Sequence, residues 1–181
     1  MTNKNDEGEF PRPGSVLYNL TCAEKETKEN LLRKFKKLNK YLIIPLYRIK
    51  ILPLLGLGRI FLLLITKGRI SSKIKRTPLE YHLMNGIITV VSARGENADW
   101  LKNIRANPDE VRVKHGFHSF QARIEFITDE EEILKLVKWY VTKYKKVAKL
   151  LFGWNPKLDD PETAKFSKLI QIITLIQFHH K

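Results

Sequence analysis

Gly68-Arg69-Ile70-Ser71-Ser72-Lys73, followed at once by Lys75 and Arg76, is the segment best equipped to bind an anion. A glycine lets the backbone turn so that successive N–H groups point one way. Serine hydroxyls add donors, and guanidinium groups grip phosphate with two parallel hydrogen bonds. A solvated hairpin turn would use the same residues, and on this segment alone both readings stand. A second group, Ser92-Ala93-Arg94-Gly95, ends an apolar run. Loops at strand ends line pockets, so a cation beside a glycine there is a candidate ligand residue. The third is Asp99 to Pro108, where Trp100 falls in the first turn of a short helix. It can wall a flat ring or simply pack.

Together the three segments resemble the deazaflavin-dependent nitroreductase family, whose members use coenzyme F420. The shared features are Thr66, Gly68-Arg69-Ile70-Ser71, Lys75, Pro78-Leu79, the Asn85-Gly86 hairpin, Arg94-Gly95, and Trp100 with Asn103, Ala106, Asn107 and Pro108. The likeness runs more loosely through Thr128-Asp129-Glu130-Glu131 to the last strand. It implies a split β-barrel of the FMN-binding-protein type, mainly antiparallel β with flanking helices. In such a barrel Arg69, Ser71, Lys75 and Arg94 hold the phosphate and acidic tail of the deazaflavin, with Arg76 beside them. Pro78, Val91, Ser92, Trp100 and Asn103 border its ring and linker. Tyr140 and Tyr144 cover the substrate face as the catalytic candidates, although helical periodicity also suits core-facing aromatics. The family's second loop glycine is Ser72 here. Glycine at such a place supplies φ > 0 or room for close approach, so a serine implies strain or a rebuilt loop.

The implied activity is hydride transfer from reduced deazaflavin to an electron-poor small molecule: a quinone, a nitro compound or an activated alkene. The cofactor would carry that chemistry, with a tyrosine or water as proton donor. No Ser-His-Asp or paired-carboxylate arrangement is visible. His115 and His118 flank a turn, two ligands do not make a metal site, and no metal is expected. Two other readings are weighed: a split barrel that binds FMN, and a non-enzymatic protein that binds nucleic acid or an anionic membrane.

These residues need elements to position them. Residues 24–50 read as helix, divided at Pro45. Ile51 to Gly58 reads as a loop. Ile60 to Thr66 is a continuous apolar run suited to a buried strand. Ile74 to Leu83 reads as the next strand, and Asn85-Gly86 predicts a type I′ turn into Ile87 to Ala93. A short helix over Asp99 to Ala106 and a hairpin across His115-Gly116 follow. Thr128 and Glu131 suggest a capping box ahead of one long amphipathic helix reaching Leu151. Leu169 to Phe178 reads as a final strand. Parallel crossovers are missing, which disfavours a Rossmann fold.

The 181 residues carry a net charge of +14. From Asn30 to Leu79 there are thirteen cations and no acid, whereas the remainder holds twenty cations against nineteen acids. The excess is therefore local and attracts polyanions. The organisation expected is a polar tail over 1–23, a basic amphipathic helical arm over 24–58 and the cofactor-binding barrel over 59–181. Leu31, Leu32, Phe35, Leu38 and Leu42 alternate with Lys and Arg, the pattern of a helix lying on an anionic membrane or of one packed on its own domain. No run is long and uncharged enough to span a bilayer. The one cysteine, Cys22, excludes an intrachain disulfide. The chain is expected in the cytoplasm, free or on the membrane surface, as a monomer or dimer. Few aromatics interleave the basic window, so no nucleic-acid partner is expected.

Overall fold

The computed structural model describes residues 8–48 and 60–181. The loop read over 51–58 lies outside the described residues. Seven antiparallel strands form one sheet: β1 (Phe61–Lys67), β2 (Ile74–Glu80), β3 (His82–Met84), β4 (Ile87–Ser92), β5 (Arg112–His115), β6 (His118–Ile127) and β7 (Thr174–His180). Their order is β2-β1-β5-β6-β7-β4-β3. The two edges of that order are consecutive pieces of chain, parted only by Tyr81. The stretch from Ile74 to Met84 pairs first with β1 and then with β4. The sheet thus curls back on itself as a split β-barrel, which leaves little open edge.

β1 shows why its sequence is apolar throughout. Leu62 and Leu64 face the barrel core, while Leu63 faces out against Ile43, Ile44 and Leu46. A strand covered on both faces needs no polar alternation. Inside the barrel, Val90, Val113, Ala122, Ile176 and Phe178 meet Leu101 and Ile104. Those two come from the helix α4 (Asp99–Ala106). Each such leucine contributes on the order of 2 kcal/mol when fully buried. The Asn85-Gly86 turn has φ of +50° and +80°, as a type I′ turn requires.

A second core lies between the sheet and the outer helices. Leu175 of β7 points into it, while its neighbour Ile176 points into the barrel. Its helices are α1 (Val16–Thr21), α5 (Glu130–Lys143), α6 (Lys145–Phe152) and α7 (Ser167–Ile172). Residues 8–23 of the segment read as a polar tail pack here. Phe10 and Leu17 are buried, and Phe10 stacks on Phe166 and packs at a tilt against Trp154. Arg12 clasps Asp159 through two hydrogen bonds of 2.9 and 2.6 Å.

Three further boundaries differ from expectation. The cap of α5 is Asp129, whose carboxylate accepts from the Glu132 N–H at 2.8 Å; Thr128 and Glu131 form no capping box. The carboxylate gains from the helix dipole as well as the hydrogen bond. The long helix breaks at Tyr144 into α5 and α6, and Gly153 (φ +80°) ends the second piece. Residues 167–172 are helical, so the last strand begins only at Thr174. A short run rich in Leu and Ile has no period that separates helix from strand. The basic arm comprises α2 (Lys25–Leu38), a π-type turn over Asn39–Ile43, and α3 (Ile44–Arg48), which carries Pro45.

Candidate functional site

The loop between β1 and β2 is closed by its own backbone. The Gly68 N–H donates to Lys73 O at 2.9 Å, and the Ser72 N–H donates to Gly68 O at 2.8 Å. A Cβ on Gly68 would lie 2.8 Å from Ser71 Oγ and 3.2 Å from Lys73 O, so a side chain there would press on the serine hydroxyl and crowd the Lys73 carbonyl. Ser72 adopts φ +52°. The serine therefore takes the left-handed conformation that a glycine would take freely, and the loop is strained rather than rebuilt.

Helix α4 fixes the loop from one side. The Arg69 N–H donates to Asn103 Oδ1 at 3.1 Å, and Arg69 Nη1 donates to the same oxygen at 3.3 Å. Arg69 Nη2 also reaches Asp99 Oδ1 at 3.1 Å. Asn103 is buried. One residue thus ties the tip of the barrel loop to a helix packed into the barrel core.

Loop and helix enclose a groove of about 520 Å³. Arg69, Ser71, Lys75, Arg76, Trp100 and Asn103, all expected at the site, line it. So does Lys36 of α2, which sequence reasoning did not single out. Four cations face one carboxylate, Asp99, which is already paired with Arg69. Guanidinium, ammonium and hydroxyl donors around a turn are the chemistry that holds phosphate and carboxylate groups. The donor set therefore fits a polyanionic cofactor.

The other expected residues fall elsewhere. Arg94 lines a neighbouring recess of about 700 Å³ with Lys28 and Lys102. Groove and recess meet at Asp99, and α2 runs beside both through Lys28, Leu32 and Lys36. Ser92 is buried, and its hydroxyl donates to Gly95 O at 2.8 Å. That bond engages the hydroxyl in holding the turn. Pro78 stands opposite Leu63 in the β1–β2 register.

Val91 and Tyr140 line a separate apolar cavity of about 190 Å³ beneath α5. The Tyr140 hydroxyl donates to Glu80 Oε1 at 3.2 Å. His82 Nε2 lies 3.2 Å from the same oxygen. Tyr144 packs on the His82 imidazole, with ring centres 5.0 Å apart. Burial, and then the Glu80 charge, push the Tyr140 hydroxyl well above the usual phenol range, so it stays protonated. The two tyrosines are thus grouped with Glu80 and His82 rather than with the cationic groove. Glu80 and His82 had escaped sequence reasoning. Their only signal is a two-residue spacing, which puts them on one face of an extended chain.

No helix among the described residues is long and apolar enough to cross a membrane. The family model of the F420H(2)-dependent quinone reductases matches residues 54–149. Among solved structures, the chain is similar to an F420-H2 dependent reductase (FDR-A) at 22% identity, covering 66% of this chain and 94% of that one with a TM-score of 0.41. It is also similar to a putative pyridoxamine 5′-phosphate oxidase from Listeria innocua, at 15% identity, 73% and 91% coverage and a TM-score of 0.44. A FAD-binding protein from Mesorhizobium loti gives 15% identity, 67% and 81% coverage and a TM-score of 0.42. No curated protein sequence matches. The family match spans more than half of the chain and includes the groove loop, α4 and the Glu80–His82 pair: the chain belongs to the F420H2-dependent quinone reductase family, split-barrel enzymes that use coenzyme F420.

Proposed function

We propose that this protein transfers hydride from reduced F420 to a quinone, with the acidic part of the cofactor seated in the groove between the 68–76 loop and α4. The convergence of Lys36, Arg69, Lys75 and Arg76 on that groove carries the reading. Arg69, Ser71, Lys75 and Arg76 would hold the phosphate and acidic tail, and Lys36 would close on it from α2. Trp100 and Asn103 would border the linker. Arg94 would meet the tail only where the recess joins the groove. When bound, the reduced deazaflavin supplies the hydride; the chain supplies position, charge and exclusion of water.

A quinone acceptor also gives the arm a role. None of the residues of α2 is buried, and Phe35, Leu38 and Leu42 are exposed among Lys34, Lys36, Lys37 and Lys40. An amphipathic surface of that kind suits an anionic membrane in which a lipid-soluble quinone resides. Liposomes containing anionic lipid should retain the protein, and Leu38→Glu with Leu42→Glu should release it. Equal retention of both proteins would remove the membrane reading.

Turnover tests the activity. Purified protein given chemically reduced F420 and menadione should regenerate oxidised cofactor far above the uncatalysed rate. Reduction of a nitro compound or an activated alkene with none of menadione would reassign the acceptor. Turnover of no acceptor, with F420 bound, would reduce the protein to a cofactor carrier.

A further inference from the structure

The sheet changes partner at Tyr81, and the two residues flanking it form a polar cluster that the cationic groove does not use. Glu80 ends β2, and His82 begins β3. Glu80 Oε1 accepts from Tyr140 and lies 3.2 Å from His82 Nε2, so one carboxylate oxygen joins both. Both Glu80 and His82 line the cavity beneath α5, whose remaining walls include Val91, Leu136, Val137 and Phe152. The wall is apolar apart from this cluster. At about 190 Å³ it is small beside ordinary ligand pockets of roughly 300–1,000 Å³, which suits a ring and not the tail attached to it.

The three polar groups differ in how they handle a proton. Tyr140 stays protonated and acts as a hydrogen-bond donor that orients Glu80. An imidazole is the side chain that both gives and takes a proton in general acid and base catalysis. The groups around it are few. From the chain at the β2–β3 junction there is Glu80; from α5 there are Tyr140, Trp139 and, beyond its end, Tyr144. Lys143 Nζ lies 4.8 Å from the Trp139 ring and 5.6 Å from the Tyr144 ring, both packed on His82. From β4, Thr89 stands opposite His82 in register. The His82 side chain is 11% exposed and that of Glu80 34%, so the pair reaches from the cavity to solvent.

We propose that this cavity is the acceptor site, that it takes the ring of a quinone, and that His82, oriented by Glu80, is its proton donor. This rests on the quinone reading above. The reduced deazaflavin, when bound, would give up a hydride, which is two electrons and one proton, and release its own second proton to solvent; the quinone would become a hydroquinone monoanion. One further proton passes from an imidazolium N–H of His82 to the anionic oxygen. Hydroquinone and neutral imidazole result, and His82 regains its proton from solvent beside Glu80. Tyr140 is a positioning residue that acts through Glu80.

Two measurements test it. The first needs no cofactor: menadione should quench the intrinsic tryptophan fluorescence saturably, since Trp139 packs on His82. Ala93 lies exposed on the cavity rim, so Ala93→Leu should block entry without disturbing the core and weaken quenching at least about tenfold. The second is the pH profile of kcat with menadione. The wild type should lose rate as pH rises and removes the donor's proton. His82→Gln should lower kcat about 100-fold and flatten that limb, in line with general acid catalysis. Glu80→Gln, which removes the anionic partner, should move the limb to lower pH. All three variants should bind F420 as the wild type does. A folded His82→Gln protein with the wild-type rate and profile would overturn the assignment, and so would quenching indifferent to Ala93→Leu. Failure of the wild type itself to reduce menadione while binding F420 would instead defeat the quinone reading, and this inference with it.

Discussion

Arg69 and Asn103 share one oxygen: both the backbone N–H and the guanidinium of Arg69 donate to Asn103 Oδ1, at 3.1 and 3.3 Å. The bond joins a surface loop to a helix whose Leu101 and Ile104 fill the barrel. It converts a flexible turn into a fixed cradle, and binding then loses less entropy in ordering it. Asn103→Ala is expected to destabilise the fold by about 1–3 kcal/mol, because a buried acceptor is lost. It should also weaken F420 binding by about tenfold. Asn103→Asp keeps the acceptor but adds a negative charge, so it should spare the melting temperature more than the affinity. Thermal melts and fluorescence titrations of the two variants separate these effects.

Ser72 and Gly95 make opposite predictions about glycine. Ser72 sits at φ +52°, a conformation that costs an L-residue roughly 1–2 kcal/mol. Ser72→Gly should therefore raise the melting temperature by a few degrees, after the entropy that glycine gives the unfolded chain. At Gly95 (φ +49°) a Cβ would lie 2.4 Å from Ile172 O. Gly95→Ala should lower stability by about 2 kcal/mol or more, since both conformation and backbone contact resist it. Equal melting temperatures for Gly95→Ala and wild type would contradict the close approach.

The segment over 8–23 should prove structural. Asp159 is only 8% exposed, and Arg12 supplies its cation. Arg12→Ala is expected to cost about 2–3 kcal/mol, because it leaves a nearly buried carboxylate short of a partner. Removal of the first 23 residues should unfold the second core, as Phe10 and Leu17 go with them. A truncated protein that melts like the full chain would show the clasp to be dispensable.

His115 predicts a pH dependence of stability. Burial first, and then the charges of His118 and His180, hold its pKa below the ordinary histidine value. The unfolded chain takes up a proton at about pH 6.5, where the fold does not. The unfolded state then binds more protons, so stability falls as pH drops through that value and levels off below the folded pKa. Denaturation midpoints compared at about pH 7.5 and 5 should show a smaller loss for His115→Gln than for wild type.

Much of the barrel was legible because its signals are local. The two-sided apolar run of β1, the Asn85-Gly86 turn and the short helix of Asp99–Ala106, stopped by Asn107-Pro108, each depend on neighbours in sequence. The groove loop was legible for the same reason: glycine, serines and cations lie within nine residues of each other. What escaped depends on distant packing. Nothing local marks Phe10 as the partner of Trp154 and Phe166. Among the cations of α2, no pattern says that Lys36 is the one turned to the groove. Arg94 and Arg69 look equivalent in sequence, yet one lines the recess and the other the groove. Glu80 and His82 meet Tyr140 across about sixty residues, a contact set by where α5 lands.

The most direct measurement is a fluorescence titration of oxidised F420 with wild type and with Arg69→Ala, at low and moderate salt and with FMN in parallel. Saturable F420 binding at micromolar concentration or tighter is expected. It should weaken as salt screens the groove cations, and by at least tenfold with Arg69→Ala. FMN, with less negative charge, should bind more weakly. Affinity unchanged by the substitution and by salt, or binding of FMN alone, would contradict a cationic F420 groove.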